Sequence, residues 1–249
     1  MSIEYAAAGG IGRITLNRPD KRNAITSEMM SALRDALQRS ADDSTVRALL
    51  IRGAGKDFCA GLDLSEVLKS AENADVALAS ARRLGDLYIA MRRHPKPIIA
   101  AVQGRALGGG AGIATASDLI VATESAYFGY PEVKLGFIPA IVATMLRRAV
   151  NERQAMELAL TGEPLSAPRA YAIGLINRVV PDAEFETAVD SYVNALAGQS
   201  ATAMSMSKAL LYETDGLSFE ASIEAGVQAN VRGRTTDDFK RGVERFLKK

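Results

Sequence analysis

Ile98-Ile99-Ala100-Ala101-Val102 and Leu119-Ile120-Val121-Ala122 are unbroken apolar runs of strand length. A strand that is apolar on both sides must be covered on both faces, which a parallel sheet flanked by crossover helices provides and a half-solvated antiparallel sheet does not. Around these runs, short apolar stretches alternate with longer amphipathic ones, so the expected class is α/β rather than sandwich or bundle. Residues 12–16 and 46–51 read as further strands, the first leaving through a turn at Asn17-Arg18-Pro19-Asp20. Between them a helix is expected, capped by Thr26 or Ser27, with Glu28 in its first turn and Met30, Leu33 and Leu37 on one face. From about residue 151 the pattern turns helical, over 152–160, 167–173, 184–197, 204–212, 219–230 and 237–247, with one more strand at 175–180 closed by Pro181. The expected organisation is a strand-rich body with a helical C-terminal third, with no internal repeat, low-complexity stretch or linker.

At 249 residues the chain can bury a sizeable core. Its 30 Lys and Arg balance 29 Asp and Glu to a formal charge of +1, without the excess of a nucleic-acid or membrane-surface binder. Neither partner is expected, and a polyanionic ligand would have to be met by local basic groups. One cysteine, Cys59, precludes an internal disulfide framework, and with one histidine, His94, the chain cannot assemble a Cys/His zinc cluster, so no metal is expected. The start, Met1-Ser2-Ile3-Glu4-Tyr5, lacks a basic and apolar leader, and no 18-residue apolar run is free of charges or glycine clusters. The expectation is a cytoplasmic protein.

Several chemistries fail on spacing. Gly53-Ala54-Gly55-Lys56 lacks the leading glycine and trailing hydroxyl residue of a P-loop, and neither glycine cluster, at 9–12 or 108–112, completes G-x-G-x-x-G. There is no G-x-S-x-G, and the only base for a serine triad, His94, lies in the basic stretch Arg92-Arg93-His94-Pro95, where a satisfied or solvent-facing ring is expected.

Two glycine-bearing loops and one glutamate stand out. The first loop, Asp57-Phe58-Cys59-Ala60-Gly61-Leu62-Asp63-Leu64, follows the strand at 46–51, and its small residues let backbone amides approach a ligand. The second runs from Gln103-Gly104 to Gly108-Gly109-Gly110-Ala111-Gly112 and opens a helix. Consecutive glycines there expose N–H groups at the positive end of the helix dipole, where an oxyanion would be stabilised; close packing of helix on sheet would need the same glycines.

Taken in order, these blocks resemble the signatures of the crotonase superfamily, the enoyl-CoA hydratase/isomerase family. The chain carries Asn17-Arg18-Pro19 with Asn23-Ala24, then Phe58 to Leu64, then Pro97 to Gly104 leading to Gly108-Gly109-Gly110. Ser117-Asp118-Leu119, Phe128-Gly129-Tyr130-Pro131-Glu132 through Gly136, Leu160-Thr161-Gly162 and Ala172 through Val180 follow. The resemblance implies an α/β crotonase-like spiral of ββα units, a core over 1–190 carrying the acyl-CoA site, with a helical C-terminal trimerisation region over 191–249, assembled as a homotrimer or dimer of trimers. It implies an acyl-CoA thioester substrate and no separate cofactor, coenzyme A being part of that substrate. It maps an oxyanion hole onto the N–H groups of Leu62 and Gly109, and backbone contacts to coenzyme A onto Ala60, Gly61, Leu62, Asp63 and Leu64. Lys21 and Arg22, with Lys248 and Lys249 from a neighbouring subunit, are the expected cations for its phosphates; Ser65 stands where some relatives have a phosphate-binding lysine.

Hydratases of the family commonly use two glutamates. The second is matched by Glu132, but the first falls on Gly112. Water addition to a 2-enoyl-CoA is favoured by how common it is in the family. The alternatives are 3-enoyl to 2-enoyl isomerisation with Glu132 as sole acid/base, another crotonase reaction, or a non-catalytic acyl-CoA-binding subunit. Ile138-Pro139-Ala140-Ile141-Val142 replaces the glycines of many hydratases with apolar bulk, which leaves chain length open. Asp63 and Glu66 are alternative acids, against a loop contact and a helix-surface charge; Tyr130 either faces the pocket or is a core or interface residue.

Overall fold

The computed structural model describes residues 1–248. The chain begins with strands β1 (Ile3–Ala8) and β2 (Ile11–Leu16), helix α1 (Ser27–Asp42), β3 (Ala48–Gly53), α2 (Leu64–Ser70) and α3 (Ala74–Arg93). It continues through β4 (Ile98–Val102), β5 (Arg105–Leu107), α4 (Gly109–Ala116), β6 (Leu119–Thr123), β7 (Tyr127–Gly129), α5 (Ala140–Ala149) and α6 (Glu152–Thr161). Then come β8 (Leu165–Ser166), α7 (Ala167–Ala172), β9 (Arg178–Val180), α8 (Phe185–Ala197), α9 (Ala201–Glu213), α10 (Phe219–Arg234) and α11 (Asp237–Leu247).

The two unbroken apolar runs become β4 and β6, neighbours in a six-stranded sheet of order β1-β2-β3-β4-β6-β9 that is parallel from β2 onward. Alternation sorts its residues between two cores. Ile11, Ala48, Leu50, Ile99, Ala101 and Val121 meet Phe185, Val189 and Val193 of α8, while Ile14, Leu49, Ile51, Ile98 and Ala100 belong to the larger core that includes α1 and α3. β4 is buried at all five positions, as a doubly covered strand must be.

A second sheet, β5-β7-β8, is assembled from what the chain does after leaving the first. β4 is followed by β5 and α4, and β6 by β7, a 3-10 turn at Pro131–Leu135 and α5, so each turn of the spiral places one strand in each sheet before a helix. β3 does the same in reduced form, since Cys59 makes a parallel bridge to Ala106 before α2 begins.

Several expectations change. The strand expected at 46–51 begins two residues later, because Val46 N–H is held by Asp43 O below the sheet. That at 175–180 contracts to Arg178–Val180, since Leu175 and Ile176 are buried in the main core and the Asn177 amide oxygen accepts from Ile120 N–H. The helix expected at 204–212 starts at Ala201 because Ser200 caps it, and that at 219–230 runs on to Arg234. Of the two candidate caps on α1, Thr26 is the one used, accepting from Met29 N–H. Strands β1, β5 and β7 and helices α2, α3 and α5 have no counterpart in the pattern reading. β1 had a local signal: Gly9 and Gly10, both at positive φ, close a two-residue hairpin pairing Ala8 with Ile11.

The C-terminal helices attach through a buried ion pair. Lys208 of α9 reaches Asp118 at 2.8 Å, with side chains 8% and 15% exposed, and also donates to Met91 O and Lys96 O; Tyr212 O–H donates to the other Asp118 oxygen at 2.7 Å. Removing one partner strands a desolvated charge, which typically costs 3–5 kcal/mol. Lys208→Met should therefore lower unfolding stability by about 3 kcal/mol in chemical denaturation, far more than Lys240→Met, whose Asp237 partner is exposed.

Candidate active site

Cys59, Ala106 and Phe128 stand side by side across three parallel pieces of the small sheet. Because those pieces are in register, their carboxyl ends stop at one level. Three residues beyond Cys59 is Leu62, three beyond Ala106 is Gly109, and four beyond Phe128 is Glu132. Residues 70 positions apart are thus delivered to one place, as ligand sites at the carboxyl edges of parallel strands are.

The first loop is held by backbone bonds to both sides. Cys59 N–H donates to Arg105 O and Leu107 N–H to Cys59 O, while Ala60 N–H reaches Arg22 O, Ile25 N–H reaches Gly61 O and Asp63 N–H reaches Ile25 O. Asn23, fully buried and left-handed at φ 56°, ties the stretch down: its amide donates to Ala54 O and Asp57 O and accepts from Arg18 N–H. Burial pushes the Cys59 thiol up to about 12, which keeps it a neutral packing group.

These bonds leave part of the backbone over 60–64 already engaged within the protein. Asp63 is fully engaged: its N–H goes to Ile25, its carbonyl accepts from Glu66 and Val67, and its carboxylate caps α2 at Ser65 and pairs with Arg18 at 3.2 Å. The Ala60 N–H is likewise taken, and the Gly61 N–H lies 3.5 Å from Cys59 Sγ. Leu64 is the exposed first residue of α2. Glu66 accepts from Ser27 N–H, so it and Asp63 serve as loop contacts rather than acids.

Leu62 N–H has no acceptor among the described residues, and neither does Gly109 N–H, the first of α4, where no intrahelical carbonyl is available. The two are close, since a Cβ built on Gly109 would lie 3.7 Å from Leu62 N. Gly108, at φ 48°, donates to Gly129 O, and a Cβ on it would stand 3.0 Å from Glu132 Oε1 and 4.0 Å from Gly61 Cα. Gly108 is therefore the point where all three segments meet.

Leu62, Gly109 and Glu132 line one cavity of about 230 Å³. Its other walls are apolar, chiefly Leu84 of α3 with Phe137, Ile138, Ile141 and Val142, so the bulk expected from 138–142 does form pocket wall. Glu132 is the one carboxylate among the described lining residues, and its Oε2 is buried without a hydrogen-bond partner. Desolvation holds its carboxyl above the usual carboxylate range, against a smaller opposing backbone hydrogen bond. A half-buried carboxyl so placed can take or give a proton, and two unpaired N–H groups beside it favour negative charge on an oxygen between them.

Position 112 is closed. A Cβ there would collide with the Tyr88 hydroxyl and lie 2.6 Å from its Cζ and 2.7 Å from Val142 Cγ1. Tyr88, on α3, went unnoticed in the sequence because nothing local marks it; its hydroxyl donates to Gly109 O at 2.9 Å. Tyr130 is also buried, bonded to the Thr115 hydroxyl at 3.1 Å and pushed up to about 12 by burial, so it is a core residue. His94 is satisfied by Ser40 Oγ and Lys96 O, both at 3.0 Å.

The enoyl-CoA hydratase/isomerase family profile matches residues 6–249. The chain belongs to that family. A Thermus thermophilus protein provisionally named as an enoyl-CoA hydratase is 37% identical over 242 residues, 97% of this chain and 96% of its own. The 1,2-epoxyphenylacetyl-CoA isomerase of Escherichia coli is 35% identical over 245 residues, 96% and 93% of the two chains. The crystal structure of a Mycobacterium smegmatis enoyl-CoA hydratase superposes with a TM-score of 0.96 at 30% identity, covering 100% of this chain and 96% of that one. The ββα spiral described above is the crotonase fold, and the chain is an enzyme of a family that contains both hydratases and isomerases.

Of the basic residues, Lys21 and Arg22 are exposed in the turn whose Arg22 carbonyl holds the first loop. Ser65 is exposed in the first turn of α2, with its hydroxyl on Asp63. Lys248 is exposed at the end of α11, and Lys249 lies outside the described residues. No helix among the described residues is long and apolar enough to cross a membrane. The packing at position 112 is testable: Gly112→Ala should destabilise the fold by about 2 kcal/mol in denaturant titrations, since one methyl must displace both Tyr88 and Val142.

Proposed function

We propose that the protein binds acyl-CoA thioesters, stabilises their enolate between the N–H groups of Leu62 and Gly109, and moves the proton with Glu132 alone. The observation carrying this reading is the unpaired Glu132 Oε2 in an apolar pocket shared with two unpaired N–H groups, on a site where a side chain at position 112 is excluded by Tyr88. Each donor is worth roughly 3 kcal/mol by analogy with deleted oxyanion-hole donors. No separate cofactor enters; coenzyme A is the handle of the substrate. Lys21 and Arg22 remain the proposed cations for its phosphates.

The reaction best supported is double-bond migration. Glu132 takes a proton from C2 of a 3-enoyl-CoA, and the electron pair of that C–H bond passes into a dienolate whose charge rests on the thioester oxygen. Return of the proton to C4 gives the 2-enoyl-CoA with no change in composition, so one acid/base suffices. Water addition is the second reading, favoured by the hydratase names of two of the relatives described above. Offering a 2-enoyl-CoA in ¹⁸O water and a 3-enoyl-CoA separately distinguishes them. Migration without ¹⁸O supports isomerisation, incorporation at C3 supports hydration, and equal affinity for crotonate and crotonyl-CoA in calorimetry refutes the acyl-CoA reading.

Glu132→Gln should lower kcat a hundredfold or more with acyl-CoA affinity nearly unchanged. Because the base must be ionised and its carboxyl is raised, kcat/KM should rise with pH along a limb above the usual carboxylate range. The same shift has a stability sign. As pH rises, the unfolded carboxyl ionises before the folded one, so stability falls between the two values and stays lower above the folded one. Glu132→Gln should therefore be more stable than the native protein at pH 7, with the gap closing in acid thermal melts.

Self-association as a homotrimer or dimer of trimers is part of the same proposal. Phe219, Ile223, Val227 and Val231 recur every four residues along α10 and are exposed, with Phe246 and Leu247 of α11 nearly 80% exposed. Such a face in a lone chain is an aggregation liability. Light scattering at micromolar concentration should give three or six times the 26.5 kDa of the chain, and a monomer would overturn this part.

A further inference from the structure

The first turn of α4 has to hold an N–H group still, yet it is built from residues least able to do so. Gly108, Gly109 and Gly110 are consecutive, with Gly112 one turn on. Glycine loses more backbone freedom on ordering than any other residue, so such a turn needs anchors from outside the helix. On the strand side the anchor is Gly108 N–H on Gly129 O. In front, Leu62 packs against Gly109, with Cγ and Cδ2 each 3.2 Å from where a Cβ would be. Behind, the anchor is Tyr88, whose phenol donates to Gly109 O at 2.9 Å.

We propose that Tyr88 is a positioning residue for catalysis, its phenol pinning Gly109 from behind so that the Gly109 N–H is aimed at the thioester oxygen. Tyr88 is 3% exposed and does not line the pocket, so it acts through Gly109 and not on substrate. Its ring is locked by core neighbours, which gives the hydroxyl a fixed origin. A packing role alone does not require the hydroxyl: a phenylalanine would fill the same volume against Gly112 without leaving a buried O–H to satisfy. Burial drives the phenol well above its ordinary value, so it stays protonated and remains a donor across the working pH range. The space that a side chain at position 112 would enter thus holds a neutral donor directed at Gly109 O.

The proposal rests on the acyl-CoA reading of the site, and the test separates the two. Infrared difference spectra of bound crotonyl-CoA labelled at the thioester carbonyl report hydrogen bonding to that oxygen. In the native protein the band should fall below its position in water; no displacement would refute the acyl-CoA reading itself. In Tyr88→Phe the band should move back toward the free value, with kcat down about tenfold, KM changed less than twofold and the pH limb of kcat/KM unmoved. Amide exchange over 109–112, measured without ligand, should rise in the same variant, and this arm tests Tyr88 whatever the substrate. A folded Tyr88→Phe with native band position, kcat and exchange would overturn the proposal. Should that variant not fold, 3-fluorotyrosine at position 88 keeps the ring and makes the hydroxyl a stronger donor. It should slow exchange over 109–112, and exchange equal to the native protein would then overturn the proposal.

Discussion

The site depends on backbone touching backbone with no side chain between. A Cβ on Gly110 would collide with Cys59 O and lie 2.7 Å from Cys59 Cβ; one on Gly104 would collide with Lys56 O; one on Gly53 would collide with Asp57 O and lie 2.7 Å from Phe58 Cα. All three glycines press on the single stretch 56–59. That closeness lets Cys59 bridge Ala106, which brings the first loop into register with β5 and β7 and places Leu62 beside Gly109. A methyl group at any of these positions would part the segments and dissolve the site before any catalytic side chain was altered.

Desolvation then turns that geometry into chemistry. The apolar wall of the pocket comes from α2, α3 and residues 137–142, and Glu132 is half-buried against it with Oε2 shielded. In such surroundings a hydrogen bond to a developing oxyanion gains strength, while a carboxylate becomes a better base because its charged form is penalised. Both effects work against the stability of the empty site: Glu132 Oε2 is buried unpaired, and two helix and loop donors lack acceptors. Elsewhere, buried polar groups such as Asn23 with its three bonds and Asp118 with Lys208, Tyr212 and Ile98 are fully engaged.

Much of the architecture was legible because its cause is local. β4 and β6 are apolar on both sides, α1 carries its cap and its stripe, and α11 runs over the residues that periodicity marks. The two loops were legible as glycine-bearing segments, but close backbone packing calls for the same glycines, as Gly110 against Cys59 shows. It was the ordered blocks resembling a known family that pointed to a site. β5 and β7 were not: three residues each, they are strands only because the preceding turn of the spiral offers them edges. Helix α3 was missed although its 20 residues carry an asparagine cap, because Ala, Ser and Arg blur its apolar face.

The sequence by itself determined that the sheet is enclosed on both faces and that two glycine-bearing loops precede helices, both of which follow from residue identity and short-range spacing. The interest of Glu132 and of the glycine at position 112 came from the resemblance to the family. Only the tertiary structure decided that the space beside Gly112 is filled by Tyr88 from a helix 24 residues upstream, that Asp63 and Glu66 are occupied elsewhere, and that Glu132 Oε2 is buried without a partner. The physical reason is that these are facts of volume and hydrogen-bond competition, settled by which atoms reach a given point first, and residues far apart in the chain are what reach it.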